Sequence, residues 1–129
     1  MSQKEYDLGS AELETLRVLW DDGPLNVRGV MNALHEQDRT VAYTTVQTTL
    51  TRLEQKGFVR SDRSGQAFVF TAVVTRDELS RSRLRKLVDQ LYDGAAGALV
   101  LHLVKTQKLK PREIEELHRL IERLDKKKE

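Results

Sequence analysis

The chain has 129 residues, of which 39% are hydrophobic and 33% charged, with a net charge of +2 and no cysteine. This length fits one domain or a small domain with an appendage, and disulfide and thiol chemistry are excluded. No apolar run reaches the roughly 20 residues that span a bilayer, and the opening MSQKEYDLGS lacks the apolar core of a secretory signal. We therefore expect a cytoplasmic protein without membrane insertion.

The local charge changes sign along the chain. Residues 1–38 hold three basic and eight acidic side chains, whereas residues 39–66 hold five basic and two acidic ones. A basic stripe on a mixed surface suits a polyanion such as nucleic acid, although mixed charge is also typical of a merely solvated surface.

Two short helices are predicted first. The first runs from Ser10, its expected cap, to Trp20, and the breaker Asp21-Asp22-Gly23-Pro24 ends it. Asn26 can cap the second. Both carry apolar residues at helical spacing: Leu13, Leu16, Val18, Leu19 and Trp20 in the first, and Val27, Val30, Met31 and Leu34 in the second.

A third helix is predicted from Tyr43 or Thr44 to Lys56, with Gly57 as its C-terminal cap. Its buried face consists of Val46, Leu50 and Leu53, at spacings of four and three.

Two strands follow, over residues 58–63 and 66–71, with Ser64-Gly65 at the tip, and Val41 is a candidate for a brief extended pairing. Three helices and a two-stranded ribbon are the order of a winged helix-turn-helix, here residues 1–75, although any small α+β domain with a hairpin shares that order.

The exposed face of the third helix distinguishes a winged helix-turn-helix from other small α+β domains with a hairpin. At 100° per residue, the side opposite the buried stripe carries no carboxylate and no lysine. Threonine lowers helix propensity, so a merely solvated face would favour Glu and Lys. Short polar side chains suit close approach to a major groove, although the threonines could instead bond their own backbone or pack under the hairpin. The face consists of Thr44, Thr48, Thr51 and Gln55, flanked by Gln47 and Arg52.

Further contacts to a phosphate backbone are predicted at the two ends of this region. Thr44 and Thr45 lie in the first turn of the helix, where backbone N–H groups can receive a phosphate. Arg60, Arg63 and Gln66 are expected near the hairpin tip, where they would position the protein without reading sequence.

Residues 76–129 are predicted to form three helices with apolar stripes. About 50 residues are too few for a good core, so two copies are expected to cover each other's stripes in a homodimer. A bundle folded back on the winged domain is the alternative. The run Arg81–Lys86 suits either DNA attraction or a solvated face. The expected dimerisation residues are Leu84, Leu87, Leu91, Leu99, Leu103, Ile114, Leu117, Leu120, Ile121 and Leu124.

Several motifs together resemble the penicillinase-repressor family of bacterial transcriptional regulators. They are AYTTVQTTLTRLEQKGFVR, LGSAELETLRVLW, LYDGAAGALVLHLVK and LKPREIEELHRLIERL, and they span about Leu8 to Leu124. The resemblance implies a homodimer that binds a palindromic operator in double-stranded DNA and represses transcription. It also implies DNA contacts by Thr44, Thr45, Gln47, Thr48, Arg52 and, from the wing, Arg63.

The resemblance further suggests how repression could end. Copper-responsive members carry a Cys-x-Cys cluster, which this chain lacks. β-Lactam-responsive members are cut by a membrane sensor metalloprotease, typically at an Asn-Phe bond, and the aligned bond here is His102-Leu103. We hypothesise regulated proteolysis near this bond.

Enzymatic function is not expected, since the sequence has no Gly-rich phosphate loop and no catalytic constellation. His35, His102 and His118 share no ligand spacing, so neither a metal nor a cofactor is predicted. The alternative function is a winged-helix protein-interaction module that binds no DNA.

Overall fold

The structure, a computed structural model, describes residues 7–127 and forms two compact units, one ending at Leu84 and the other beginning at Arg85. No helix within residues 7–127 has both the length and the hydropathy needed to cross a membrane. The mainly helical fold with one β-hairpin confirms the predicted winged helix-turn-helix and C-terminal helices. The elements are α1 (Ser10–Asp22), α2 (Val27–Glu36), α3 (Tyr43–Gln55), β1 (Val59–Asp62), β2 (Val69–Ala72), α4 (Arg76–Tyr92), α5 (Ala96–Thr106) and α6 (Pro111–Lys127).

The core of the first unit lies where α1, α2, α3 and the hairpin meet. Burial of these apolar side chains supplies the main stabilising term of the domain, at roughly 25 cal/mol per Å² removed from water. The predicted stripe of α3 is confirmed, because Leu50 and Leu53 are completely buried and Val46 is 1% exposed. Phe58 begins the hairpin inside the same core. The inward face of α3 is therefore fixed, and its opposite face must point to solvent.

The helix ends follow the local sequence at α2 and α3 but not at α1. Asn26 caps α2, because its side chain accepts the Gly29 N–H at 2.7 Å. Gly57 follows α3 with a φ of 82°, in the left-handed region that favours glycine. The predicted cap at Ser10 is wrong: Ser10 is helical and Gly9 precedes it. The Glu12 carboxylate accepts the Gly9 N–H at 3.0 Å and so closes the first turn without a serine cap.

The hairpin is antiparallel and shorter than predicted. Val59 pairs with Ala72 and Asp62 with Val69, so β2 begins three residues later than expected. The Asp62 carboxylate accepts both the backbone N–H and the hydroxyl of Ser64, at 2.9 and 2.7 Å. These bonds hold the pKa of Asp62 below its usual value and begin the turn directly after β1.

A third extended segment adds to the hairpin, but it is not Val41. Leu25 bridges Phe70 in both directions, with N···O distances of 3.2 and 2.8 Å. The backbone of Val41 is instead engaged by the His35 ring, whose Nε2 lies 2.9 Å from its carbonyl oxygen and 3.3 Å from its nitrogen. The strand order β1–β2–Leu25 ties the wing to the start of α2.

The second unit contains the end of α4 together with α5 and α6. Three helices follow the hairpin, as the three apolar stripes predicted. Within residues 85–127, Leu99 is the one buried residue, with 9% of its surface exposed. Other stripe residues remain open in the single chain, and Leu91 and Leu124 are 67% and 65% exposed.

Candidate nucleic-acid interface

The outward face of α3 is presented as the sequence predicted. Its polar side chains are exposed because the α3 core stripe is buried against the first unit. No aspartate or lysine lies within α3, and its one glutamate, Glu54, points to the hairpin. The exposed set is Thr44, Thr45, Gln47, Thr48, Thr51, Arg52 and Gln55.

Two threonine hydroxyls of this face, those of Thr48 and Thr51, donate to their own helix. Thr48 Oγ1 donates to the Thr44 carbonyl and Thr51 Oγ1 to the Gln47 carbonyl, each at 2.9 Å. Thr49, which is 8% exposed, makes the same bond to Thr45 at 2.8 Å. These hydroxyl protons are therefore bonded to the backbone of the helix, which was the alternative to major-groove contact. What these residues can offer a partner is a methyl group and an oxygen acceptor.

Gln47 and Arg52 are the longer side chains that flank these threonines and can donate hydrogen bonds to a partner. Both are exposed, and within residues 7–127 Arg52 forms no salt bridge. An amide can pair one donor and one acceptor with the edge of a base, and a guanidinium can give two donors to a pair of acceptors. The two side chains lie on either side of the threonines.

The carboxylate of Glu54 joins α3 to the hairpin, a contact that the sequence pattern did not predict. Glu54 accepts the N–H and the hydroxyl of Ser61, at 3.1 and 2.6 Å. Arg63 approaches the same carboxylate at 3.6 Å and donates through Nε to Ser61 Oγ at 3.2 Å. This cluster fixes the hairpin against the C-terminal half of the helix.

The three predicted wing residues occupy different places. Arg60 is exposed in β1 opposite Thr71, and Gln66 is exposed in the loop. Arg63 is held back towards Glu54, with its guanidinium carbon 4.6 Å from the centre of the Phe68 ring. Phe68 is 46% exposed in an otherwise polar loop, and that aromatic was the sequence signal for this pair.

A similar pair lies at the other end of α3 and was also missed. The Arg28 guanidinium carbon, on α2, is 5.6 Å from the centre of the Tyr43 ring, the first residue of α3. Tyr43 is 42% exposed. Nothing in the spacing of residues 28 and 43 indicates this contact, because it depends on how α2 packs against α3.

The Lys56 side chain is bound within the first unit. Its Nζ donates to the Asp7 carbonyl and to Glu12 Oε1, both at 2.9 Å. Burial alone would raise the pKa of Glu12, whose side chain is 12% exposed. The Gly9 N–H and Lys56 together hold that pKa below its ordinary value of 4.5.

The first unit also contains a small cavity beside α3, of about 50 Å³, lined by residues that include Thr45 and Thr49. A cavity of this volume is large enough for a water molecule, but it is far smaller than ordinary ligand pockets of roughly 300 Å³ or more. No group of three or more His, Asp or Glu side chains within residues 7–127 is placed to hold a metal ion.

The predicted dimerisation and cleavage residues lie in the C-terminal helices. The His102-Leu103 bond is inside α5, where the His102 carbonyl accepts the Thr106 hydroxyl at 2.7 Å. Leu117 is half-buried and Leu99 buried. The other predicted dimerisation residues are exposed: Leu84, Leu87, Leu91, Leu103, Ile114, Leu120, Ile121 and Leu124.

Comparison with known proteins identifies the family. The family model described as penicillinase repressor matches residues 8–123. The chain belongs to the penicillinase repressor family. This is a family of transcriptional repressors, not of enzymes.

Curated relatives agree over nearly the whole chain. The methicillin resistance regulatory protein MecI of Mammaliicoccus sciuri is 26% identical over 121 residues, 94% of this chain and 98% of that protein. The penicillinase repressor of Bacillus licheniformis is 28% identical over 120 residues, 93% of each. A solution structure of the DNA binding domain of the repressor BlaI is 29% identical, with a TM-score of 0.50, and covers 60% of this chain and 93% of that one.

Proposed function

We propose that this protein is a dimeric DNA-binding transcriptional repressor whose two copies of α3 enter the major groove of a palindromic operator. The observation that carries the proposal is the exposed face of α3. This face has no lysine, and the one carboxylate of α3, Glu54, is turned to Ser61. A major groove about 12 Å wide admits one helix. An outward carboxylate there would repel the phosphates, whereas short polar side chains allow close approach.

Within this face the bases would be read by three kinds of contact. Gln47 suits a bidentate bond to adenine, and Arg52 suits guanine or a phosphate. Since the hydroxyl protons of Thr48 and Thr51 are engaged by the helix, their methyl groups would pack against thymine methyls. Thr44 would lie at the edge of the groove, near the sugar-phosphate backbone.

Contacts to phosphate would position the domain without reading sequence. Thr45, in the first turn of α3, suits one such contact. Arg60, Arg63 and Gln66 suit the backbone flanking the groove, with the Arg63 guanidinium already restrained by its contact with the Phe68 ring. Pre-ordering lowers the entropy lost on binding.

The exposed leucines of the second unit support a homodimer. Leu91, Leu120 and Leu124 are each more than half exposed in the single chain. Apolar surface of this extent, arranged as helical stripes, is the kind that a partner covers. Twofold pairing of two copies would present two α3 helices to two half-sites related by symmetry, which is what a palindrome offers.

Release by proteolysis at or near His102-Leu103 is the regulatory part of the proposal, with a membrane sensor metalloprotease as the partner. The bond lies within regular helix, so the protease would need local unfolding of α5 to reach it. Cutting α5 would remove a dimerisation stripe and separate the two DNA-binding units, which ends the gain from bivalent binding. Mass mapping of fragments after incubation with the cognate protease tests this; cuts elsewhere, or none, would oppose it.

The experiment that tests the DNA-binding proposal is recovery of genomic fragments on the purified protein at near-physiological salt, followed by sequencing. We expect an inverted repeat shared by the recovered fragments, upstream of a few genes. Such a partner also implies a cytoplasmic protein. Recovery without a shared motif would leave only nonspecific phosphate binding, and no recovery would favour the protein-interaction module.

A further inference from the structure

We propose that Arg28 and Tyr43 form an additional phosphate-binding contact, at the end of α3 remote from the wing. The inference rests on the proposed function and adds to it a pair of residues outside the exposed α3 face and the hairpin. Its basis is the cation–π contact in which the Arg28 guanidinium carbon lies over the Tyr43 ring, 5.6 Å from the ring centre.

The arginines of the first unit differ in whether they pair with a carboxylate. Several form salt bridges with carboxylates: Arg39 with Glu14, Arg63 with Glu54, Arg76 with Asp21 and Arg81 with Asp77. Within residues 7–84 five further arginines are exposed and form no salt bridge: Arg17, Arg28, Arg52, Arg60 and Arg83. Arg52 and Arg60 are already proposed to bind DNA. Within residues 7–127, Arg28 is the one of the five whose guanidinium makes a cation–π contact with an aromatic ring.

The chemistry of the guanidinium suits a phosphate. The cation–π contact engages its positive charge with the ring, and none of its N–H donors is bound to a carboxylate within residues 7–127. Five donors in a rigid plane suit the paired oxygens of a phosphate. Tyr43 is 42% exposed, and its contact with the guanidinium would restrain the arginine.

The distance between the two ends of α3 also fits a major groove. Tyr43 and Glu54 are eleven residues apart on α3, which corresponds to about 16 Å along a helix axis. The wing arginine Arg63 is attached at the Glu54 end, at 3.6 Å. A major groove is about 12 Å wide. Two contacts separated by more than this width would hold the sugar-phosphate backbones on opposite sides of the groove.

The test is a salt titration of DNA binding by the full chain, using one recovered genomic fragment and a scrambled duplex. Each lost phosphate contact should reduce the slope of log K against log salt by about 0.9. We therefore expect Arg28→Gln to lower the slope by that amount per protomer and to weaken binding about three- to ten-fold, equally on both duplexes.

Arg17→Gln is the matched control. Arg17 is an exposed arginine on the side of α1 opposite its buried residues, and it forms no salt bridge within residues 7–127. It should leave both slope and affinity unchanged. Thermal unfolding by circular dichroism checks that each variant folds.

Coupling between the two residues gives a second readout. If the ring positions the guanidinium, Tyr43→Ala should weaken binding, and the double variant with Arg28→Gln should lose little more than the worse single variant. An unchanged slope for Arg28→Gln, or fully additive losses, would overturn the inference. If the unaltered protein binds neither duplex, the proposed function fails and this inference fails with it.

Discussion

Replacing Glu54 by glutamine should lower the stability of the winged domain while raising its affinity for DNA. The carboxylate accepts two hydrogen bonds from Ser61, at 3.1 and 2.6 Å, and pairs with Arg63 at 3.6 Å. It also carries the one negative charge of α3. The substitution therefore weakens the attachment of the hairpin and removes a repulsion between α3 and the phosphates.

The two effects differ in size. Hydrogen bonds to a charged group contribute about 1.5–3 kcal/mol each, but glutamine keeps one acceptor oxygen, so we expect a loss of about 1 kcal/mol. The Arg63 pair adds little, because its side chains are 61% and 31% exposed. A shift of about 1 kcal/mol lowers the melting temperature of a domain this size by roughly 4–8 °C. A unit charge roughly 10 Å from a phosphate in water is worth about 0.4 kcal/mol, or about two-fold in affinity.

The assay pairs thermal unfolding with fluorescence anisotropy on a scrambled duplex at low salt. Glu36→Gln is the matched control, an exposed glutamate at the end of α2 that forms no salt bridge within residues 7–127. The reasoning is refuted if the Glu54→Gln and Glu36→Gln variants have the same melting temperature, because the Ser61 hydrogen bonds would then not stabilise the domain. A loss of affinity on the scrambled duplex would equally refute it, because the carboxylate would then be assisting DNA binding.

Three further predictions concern the fold and the assembly. Asn26→Ala removes the cap of α2 and should lower the free energy of unfolding by about 1 kcal/mol in chemical denaturation. The pKa of Glu12 is lowered in the folded state by the Gly9 N–H and Lys56, so its contribution is complete above pH 4.5 and disappears as the pH falls through the folded value. The stability difference between the unaltered protein and Glu12→Gln should therefore shrink below pH 4.5, and a constant difference would contradict it. Leu120→Asp should shift the protein to monomer in sedimentation velocity, and an unchanged dimer would remove α6 from the interface.

Local signals carried much of the fold. The spacing of Val46, Leu50 and Leu53 was sufficient to orient α3, because one buried stripe determines the opposite face. Asn26 and Gly57 marked helix ends for reasons contained in two or three residues. These features depend on short-range geometry, so the sequence alone was enough to predict them.

Features that depend on distant residues could not be predicted in this way. The bridge partner of the hairpin is Leu25, more than forty residues from Phe70, whereas Val41 is occupied by His35. The sequence allowed the α3 threonine hydroxyls to bond either to their own helix or to a partner, and their rotamers determine which acceptor they reach. Arg28 meets Tyr43 only once α2 and α3 have packed together.

The most direct test of the central claim compares Gln47→Ala on an operator fragment and on a scrambled duplex, with Gln107→Ala, an exposed glutamine that follows α5, as the control. If α3 reads bases, Gln47→Ala should weaken operator binding by about 1–3 kcal/mol and leave the scrambled duplex unaffected. Equal losses on both duplexes, or no loss on either, would contradict the claim that this face of α3 recognises sequence.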